Sequence, residues 1–134
     1  MNRNAIVESL RALATDYGYA FYTDVDRLLP QNVKSFPALW LAPPEFKSKQ
    51  GRTHGTITYS LKVHALAEGA KLAPADHEAA WLNLENDLIK IFTRLSQNER
   101  VIAVEKLSVK CNFATLSSQG EISATATVDV VTHF

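Results

Sequence analysis

The chain has 134 residues, and its lysines and arginines balance its aspartates and glutamates at 14 each. This length predicts one domain with one hydrophobic core. A content of 46% hydrophobic and 21% charged residues is typical of globular domains and excludes a disordered or membrane-embedded chain. The absence of net charge excludes a long-range attraction to nucleic acid or anionic lipid.

The N-terminal segment carries Glu8 and Arg11 where an export signal would have its apolar centre, so we expect no export signal. No apolar run approaches the ~20 residues that are needed to cross a bilayer. Cys111 is the single cysteine, which excludes an intrachain disulfide and a cysteine metal cluster. These features predict a protein of the cytoplasm or of a virus particle.

The first half of the chain predicts a helix and two strands. Residues 6–17 carry apolar side chains at helical spacing, and a glycine follows as a stop. Residues 19–23, YAFYT, predict a short strand, and the loop after it contains one helical turn. The apolar run at residues 36–42 predicts a second strand that is covered on both faces, and the prolines at 43 and 44 end its pairing.

The second half predicts a strand, a long helix and a hairpin. Residues 55–65 alternate strictly between apolar and polar, which indicates a third strand with one exposed face. Residues 76–96 predict a helix with one apolar stripe, and residues 107–113 and 122–130 predict a hairpin around an SSQG turn. The order α-β-β-β-α-β-β predicts a single α+β domain over residues 1–134, a mostly antiparallel sheet with two helices packed on one face. We expect the other face, rich in Thr, Ser and Lys, to be open.

Four local patterns suggest chemistry, and each has a plainer interpretation. Asp24 and Asp26 are spaced like the metal-binding acids of nucleotide-sugar transferases, but the chain is too short for such a domain. The DHEAAW string carries a tryptophan where a zinc-protease helix needs its second histidine. His64 and His133 would form a pH-sensitive or metal-binding pair if their strands are neighbours. Cys111 is expected to be a buried strand thiol. We therefore predict no catalytic residue, no metal and no cofactor.

Residues 46–55, FKSKQGRTHG, predict a long mobile loop that carries Lys47, Lys49 and Arg52 without an acidic neighbour. The plain interpretation is a solvated hairpin tip. The functional one is a partner-binding loop, because scaffolds present such loops to solvent, and Lys47, Lys49 and Arg52 are then the predicted contacts. Three charges without interleaved aromatic residues do not indicate sequence-specific binding of nucleic acid.

Four strings occur in a characteristic order: FPALWL after a short helix and strand, GTITYSLKVHALA, DHEAAWLNLENDL, and a final strand ISATATVDVVTHF. In this order the chain resembles the tail-terminator proteins of long-tailed phages, the lambda minor-tail-protein type. The resemblance spans nearly the whole chain. It rests on order, length and hydrophobicity and has no signature motif.

The resemblance implies a structural virion protein and not an enzyme. Its copies would form a six-membered ring at the head-proximal end of the tail tube, stop tube polymerisation and present a surface for joining the head. The implied partners are further copies of the chain, the tail tube protein and a head-tail joining protein, with DNA passing through the ring. The implied locations are the virion tail and, during assembly, the cytoplasm of the bacterial host.

Two alternatives remain open at the level of sequence. The first is another ring subunit, from a phage neck, a head-completion complex or a tail-like apparatus. The second is a ferredoxin-like domain that binds a small molecule or catalyses a reaction through Asp24, Asp26 or the histidines. The second alternative predicts a concave pocket with convergent polar groups and a perturbed pKa.

Overall fold

The computed structural model describes residues 1–134 and has an α+β fold, as predicted. The helices are α1 (Arg3–Asp16), the single turn α2 (Leu29–Asn32) and α3 (Pro74–Ser96), and a 3-10 turn at Asp26–Leu28 precedes α2. The strands are β1 (Ala20–Thr23), β2 (Ala38–Leu41), β3 (Glu45–Gly51), β4 (Gly55–Ala67), β5 (Val101–Asn112) and β6 (Ile122–His133).

All six strands belong to one sheet in the order β1-β2-β4-β6-β5, and β3 pairs with β4 beside that path. Only β1 and β2 run parallel, so the predicted mostly antiparallel sheet is confirmed. β4 organises the sheet because it pairs with β6 along one edge, and with β2 and then β3 along the other. The strands β1, β3 and β5 each have one unpaired edge.

Helices α1 and α3 pack on one face of the sheet, as predicted, and form the main core there. α1 begins at Asn2, whose side chain accepts a hydrogen bond from the backbone N–H of Ala5 at 2.8 Å. The apolar stripe of α3 is buried except for Trp81, which is only partly covered. Each fully buried Leu, Ile or Phe of this core contributes about 1.5–3 kcal/mol through the apolar surface that it removes from water. The stripe contributes Leu84, Leu88, Ile91, Phe92 and Leu95.

A second, smaller core covers part of the opposite face, around the strand that the sequence predicted to be covered on both faces. The segment between β1 and β2 crosses that face and buries Leu29 and Val33 against Trp40 and Leu66. All four residues of β2 are therefore buried, so coverage on both faces is confirmed for this strand. Only the part of the face formed by β3, β5 and the adjoining halves of β4 and β6 remains open.

The prediction of a mobile loop at residues 46–55 was wrong. These residues form β3 and the turn into β4, and the prolines at 43 and 44 separate β2 from β3 along the same edge of β4. All seven residues of β3 are exposed, so burial imposes no alternation on its sequence. β3 is defined by its backbone hydrogen bonds to β4. The turn between the two strands is so tight that a Cβ at Gly55 would overlap the Gln50 carbonyl.

The C-terminal hairpin is confirmed, with two irregularities in β5. Register shifts occur between Val101 and Ala103 and between Glu105 and Ser108. Lys106 adopts a φ of 57° in the second shift, which is typical of a bulge. The connection to β6 spans residues 113–121, longer than the predicted SSQG turn. The buried carboxylate of Glu121 shapes this connection by accepting hydrogen bonds from three donors: the backbone N–H groups of Leu116 and Ser117 and the Ser117 hydroxyl.

Candidate functional site

A groove of about 790 Å³ lies beside the junction of β2 and β3. Pro43 and Pro44 form one wall, and Ser60, Lys62 and Asp129 line it from the open face of β4 and β6. Asp26 reaches the groove from the turn after β1. The groove therefore exists because two strands share one edge of β4 and the chain must leave the sheet between them.

A cross-strand pair anchors β3 to the open face next to this groove. Ser60 and Asp129 are opposite each other in the β4–β6 ladder, and the Ser60 hydroxyl donates to Oδ1 of Asp129 at 2.8 Å. Lys47, at the bulge of β3, donates to Oδ2 of the same carboxylate at 2.5 Å. The hydrogen bonds from Lys47 and then Ser60 hold the pKa of Asp129 below its ordinary value.

A second network joins the turn after β1 to the sheet. Buried His64 lies 3.1 Å from Oδ2 of Asp26 through Nε2, and 2.7 Å from the Thr125 hydroxyl through Nδ1. The Asn112 side-chain amide also donates to Thr125, at 2.8 Å. The Thr125 hydroxyl is therefore free to donate to Nδ1, and Nε2–H donates to the carboxylate. Lys62 lies 2.5 Å from the same Asp26 oxygen.

These networks keep the groove carboxylates ionised. Burial alone raises the pKa of Asp26, but the hydrogen bonds from Lys62 and His64 outweigh it, and the pKa lies below the ordinary value. A general acid at neutral pH needs the opposite shift. The groove thus has the concave, polar shape that a ligand-binding domain predicts, whereas its acids are paired with neighbouring cations.

The structure does not bring the predicted groups of catalytic or metal-binding residues together. Asp24 accepts a hydrogen bond from the backbone N–H of Val25 at 2.7 Å, so it and Asp26 have separate partners. His64 faces Thr125 and His133 faces Thr56 in the β4–β6 ladder. These positions are eight residues apart along β4, or about 26 Å at the rise of a strand. The two strands are neighbours, but the two histidines lie too far apart to form the pair that was considered.

The three predicted partner-binding cations also lie apart. Lys47 points over the open face to Asp129. Lys49 pairs with Ile57 of the core-facing side, and its ammonium lies 4.5 Å from the centroid of the Phe134 ring. Arg52 lies in the turn and forms no ion pair. The bulge in β3 separates the two lysines, so Lys47, Lys49 and Arg52 do not form one basic patch.

Exposed apolar side chains concentrate along the unpaired edge of β5. Of the six large hydrophobic residues that are exposed, four belong to α3 and β5 or directly follow β5, and we call their location the β5 edge surface. Phe113 is 85% exposed, although its ring meets Trp81 edge to face with centroids 5.3 Å apart. In the sequence, this surface is indicated by Leu82 and Ile89, two apolar residues of α3 that lie seven residues apart and outside its buried stripe. The four residues are Leu82, Ile89, Ile102 and Phe113.

Two carboxylates belong to the same surface. Glu78, Leu82, Glu85 and Ile89 recur at spacings of four, three and four residues, so they share one flank of α3. Cys111 of β5 is only partly buried, and its thiol pKa is raised by burial and by Glu85 and Glu78. Trp81 lies between the two glutamates on α3 and contacts Phe113 directly after β5, so both glutamates lie near the C-terminal end of β5.

Comparison of the chain with protein-family models and with curated proteins found no match in either case. None of the helices combines the length and apolar composition that a membrane crossing requires.

Proposed function

We propose that this chain is a structural assembly protein of a phage tail, a terminator whose copies form a closed ring on the end of the tail tube. The observation that carries the proposal is the presence of two different open sheet edges in one protomer. β3 has an exposed, basic edge. β5 carries two lysines of its own, and α3 adds two apolar and two acidic side chains beside it. Contacts between unlike surfaces of identical copies generate rings when the rotation between copies closes.

The chemistry of the groove supports a binding role over a catalytic one. Asp26 and Asp129 are both paired with cations and have lowered pKa values, so neither is poised to transfer a proton near neutral pH. The order of elements, which resembles that of tail terminators, supports the assignment to the tail and the ring of six. The groove is the one feature that favours a ligand-binding domain as a second candidate.

Electron microscopy of tail tubes tests the proposal. Tubes polymerised from the tail tube protein of the same genome are incubated with the purified chain, or with buffer, and then supplied with further tube subunits. We expect ring-shaped density at one tube end and an arrest of growth at that end. Bare tube ends and growth equal to that in buffer would contradict the proposal. In a parallel incubation with emptied heads, rings bound at the neck of the heads would assign the chain to the neck or head-completion role. A monomer in solution is compatible with the proposal, because the tube end can template the ring.

A further inference from the structure

The β5 edge surface has the properties of an uncovered interface. Single exposed apolar side chains are ordinary, whereas several that flank one unpaired strand indicate a contact site. Leu82 and Ile89 lie on one side of α3, and Ile102 and Phe113 lie at the two ends of β5. Leu82, Ile89 and Ile102 are between 43% and 52% exposed, and Phe113 is more exposed still. The outer backbone groups of β5 have no strand partner. The bulge at residues 105–108 and the charges of Glu105 and Lys106 protect the middle of this edge, so a partner strand can pair only beyond them.

The β3 hairpin, which we define as β3, its turn and the start of β4, is complementary to that surface. Its outer edge is unpaired, and Phe46 is 58% exposed on it. Lys49 and Arg52 form no ion pair within the chain, and neither do Glu78 and Glu85 of the β5 edge surface. Each copy therefore carries two unpaired cations near one edge and, on the α3 side of the other edge, two unpaired carboxylates. Lys110 of β5 pairs with Thr125 and lies on the opposite, open face.

We infer that the β3 hairpin of one copy docks on the β5 edge surface of the next copy, in a single head-to-tail contact that repeats around the assembly. This inference rests on the proposed function and names its partner, a second copy, and its two surfaces. Residues 108–112 form the stretch of β5 without a register shift, and residues 48–51 form the corresponding stretch of β3. Pairing of these stretches continues the sheet from one copy into the next.

The charged side chains of the two surfaces distinguish this head-to-tail contact from a symmetric contact between two β5 edges. A two-fold contact places the same patch of both copies against itself, so Glu78 and Glu85 would approach their own counterparts. Like charges in an interface oppose association, whereas the β3 hairpin brings Lys49 and Arg52 to the same carboxylates. The head-to-tail contact is therefore the one that the charges favour.

Two double variants separate the two surfaces. Leu82→Glu/Ile89→Glu alters the β5 edge surface, and Ala79→Glu/Asn83→Glu adds the same two charges to the exposed side of α3 as its control. Lys49→Glu/Arg52→Glu alters the β3 hairpin. Its control is Lys71→Glu/Lys90→Glu, which reverses two exposed lysines elsewhere. Circular dichroism and thermal unfolding confirm that each variant is folded before sedimentation velocity measures its association.

We expect each surface variant to associate at least about tenfold more weakly than the unaltered chain, and both controls to match that chain. An equimolar mixture of the two surface variants is expected to form a heterodimer and nothing larger. The intact hairpin of one variant can dock on the intact edge of the other, but the remaining two surfaces are both damaged. Surface plasmon resonance between the two variants measures this single contact directly.

Three results would overturn the inference. The first is an unaltered chain that stays monomeric up to about 1 mM, a concentration at which even a weak specific contact is populated. The second is a hairpin variant that associates like the unaltered chain, which would indicate a symmetric contact between β5 edges. The third is a mixture without heterodimer. If the copies associate through both surfaces but tube growth is unhindered, the inferred contact stands and the proposed function is refuted. A failure of the contact and a failure of the proposed function can therefore be told apart.

Discussion

Replacing Lys47 with glutamate is expected to lower the free energy of unfolding by about 1–2 kcal/mol. The Lys47 side chain is 46% exposed and the Asp129 side chain 13% exposed, so the lost pair is worth up to about 1 kcal/mol. The new carboxylate would face Asp129, and like charges about 4 Å apart repel by about 1–4 kcal/mol in surroundings between bulk water and a protein surface. The lower end applies because the exposed glutamate can turn into solvent.

Urea unfolding, followed through the fluorescence of the buried Trp40, measures this change. With a slope near 2 kcal/mol per molar urea, the midpoint should fall by roughly 0.5–1 M. Arg52→Glu is the matched control, because it makes the same charge reversal in the adjoining turn where no ion pair exists. Adding Asp129→Lys to Lys47→Glu should restore most of the loss by re-forming the pair with reversed charges.

Equal midpoints for Lys47→Glu and Arg52→Glu would refute this reasoning, as would a failure of Asp129→Lys to restore stability. The outcome matters for function because Lys47 was predicted from sequence as a partner contact. If the ion pair stabilises the sheet, a loss of assembly in a Lys47 variant reports on the fold. Lys49 and Arg52 then remain the cations that can report on contact between copies.

Three further predictions follow from the buried and paired groups. The ion pairs of Asp26 and Asp129 should stabilise the fold at neutral pH. This stability should be lost as the pH falls from 3.8, the ordinary pKa of both groups, through their lowered folded values, because protonation breaks the pairs. Urea midpoints between pH 6 and 2.5 measure the loss, and a dependence of the midpoint on pH that Asp26→Asn/Asp129→Asn leaves unchanged would contradict it. His64→Ala should lower the free energy of unfolding by about 2–3 kcal/mol, because it removes two hydrogen bonds made by a buried ring. Urea unfolding measures this change, and a loss below about 0.5 kcal/mol would show that the network contributes little. The Cys111 thiol should react with a disulfide reagent at pH 7 more slowly than free cysteine because its pKa is raised, and a rate equal to that of free cysteine would exclude the effect.

The elements that the sequence predicted correctly are those that bury apolar side chains, either periodically or, in β2, continuously. α3 carries its buried residues at helical spacing and β4 alternates between core and open face, so the pattern of hydrophobicity reports the element directly. β3 was missed because all of its residues are exposed and only its hydrogen bonds to β4 define it. Glu121 was missed for a related reason, since its donors lie in a connection without periodicity.

The candidate site could be predicted only in its parts. The sequence identified Asp26, His64 and Lys47 as residues of interest, but it grouped them with the wrong partners. His64 was matched with His133, whereas the ladder places it next to Thr125 and near Asp26. The apolar pair Leu82 and Ile89 was visible in the sequence, but its exposure depends on how far α3 extends over the edge of β5.

The sequence by itself determined the type and order of the helices and strands of the main core, because hydrophobic spacing and the proline and glycine stops act within a few residues of one another. It did not determine all of their bounds, since β5 begins at Val101 and not at the predicted residue 107. Only the tertiary structure decided which charged groups meet and which surfaces stay uncovered. Lys47 and Asp129 are 82 residues apart in the chain, and Asp26 and His64 are 38 apart. Such partners are set by strand register and by the order of strands in the sheet. The alternation within a strand fixes which face a residue occupies, but which strands become neighbours depends on the packing of the whole sheet.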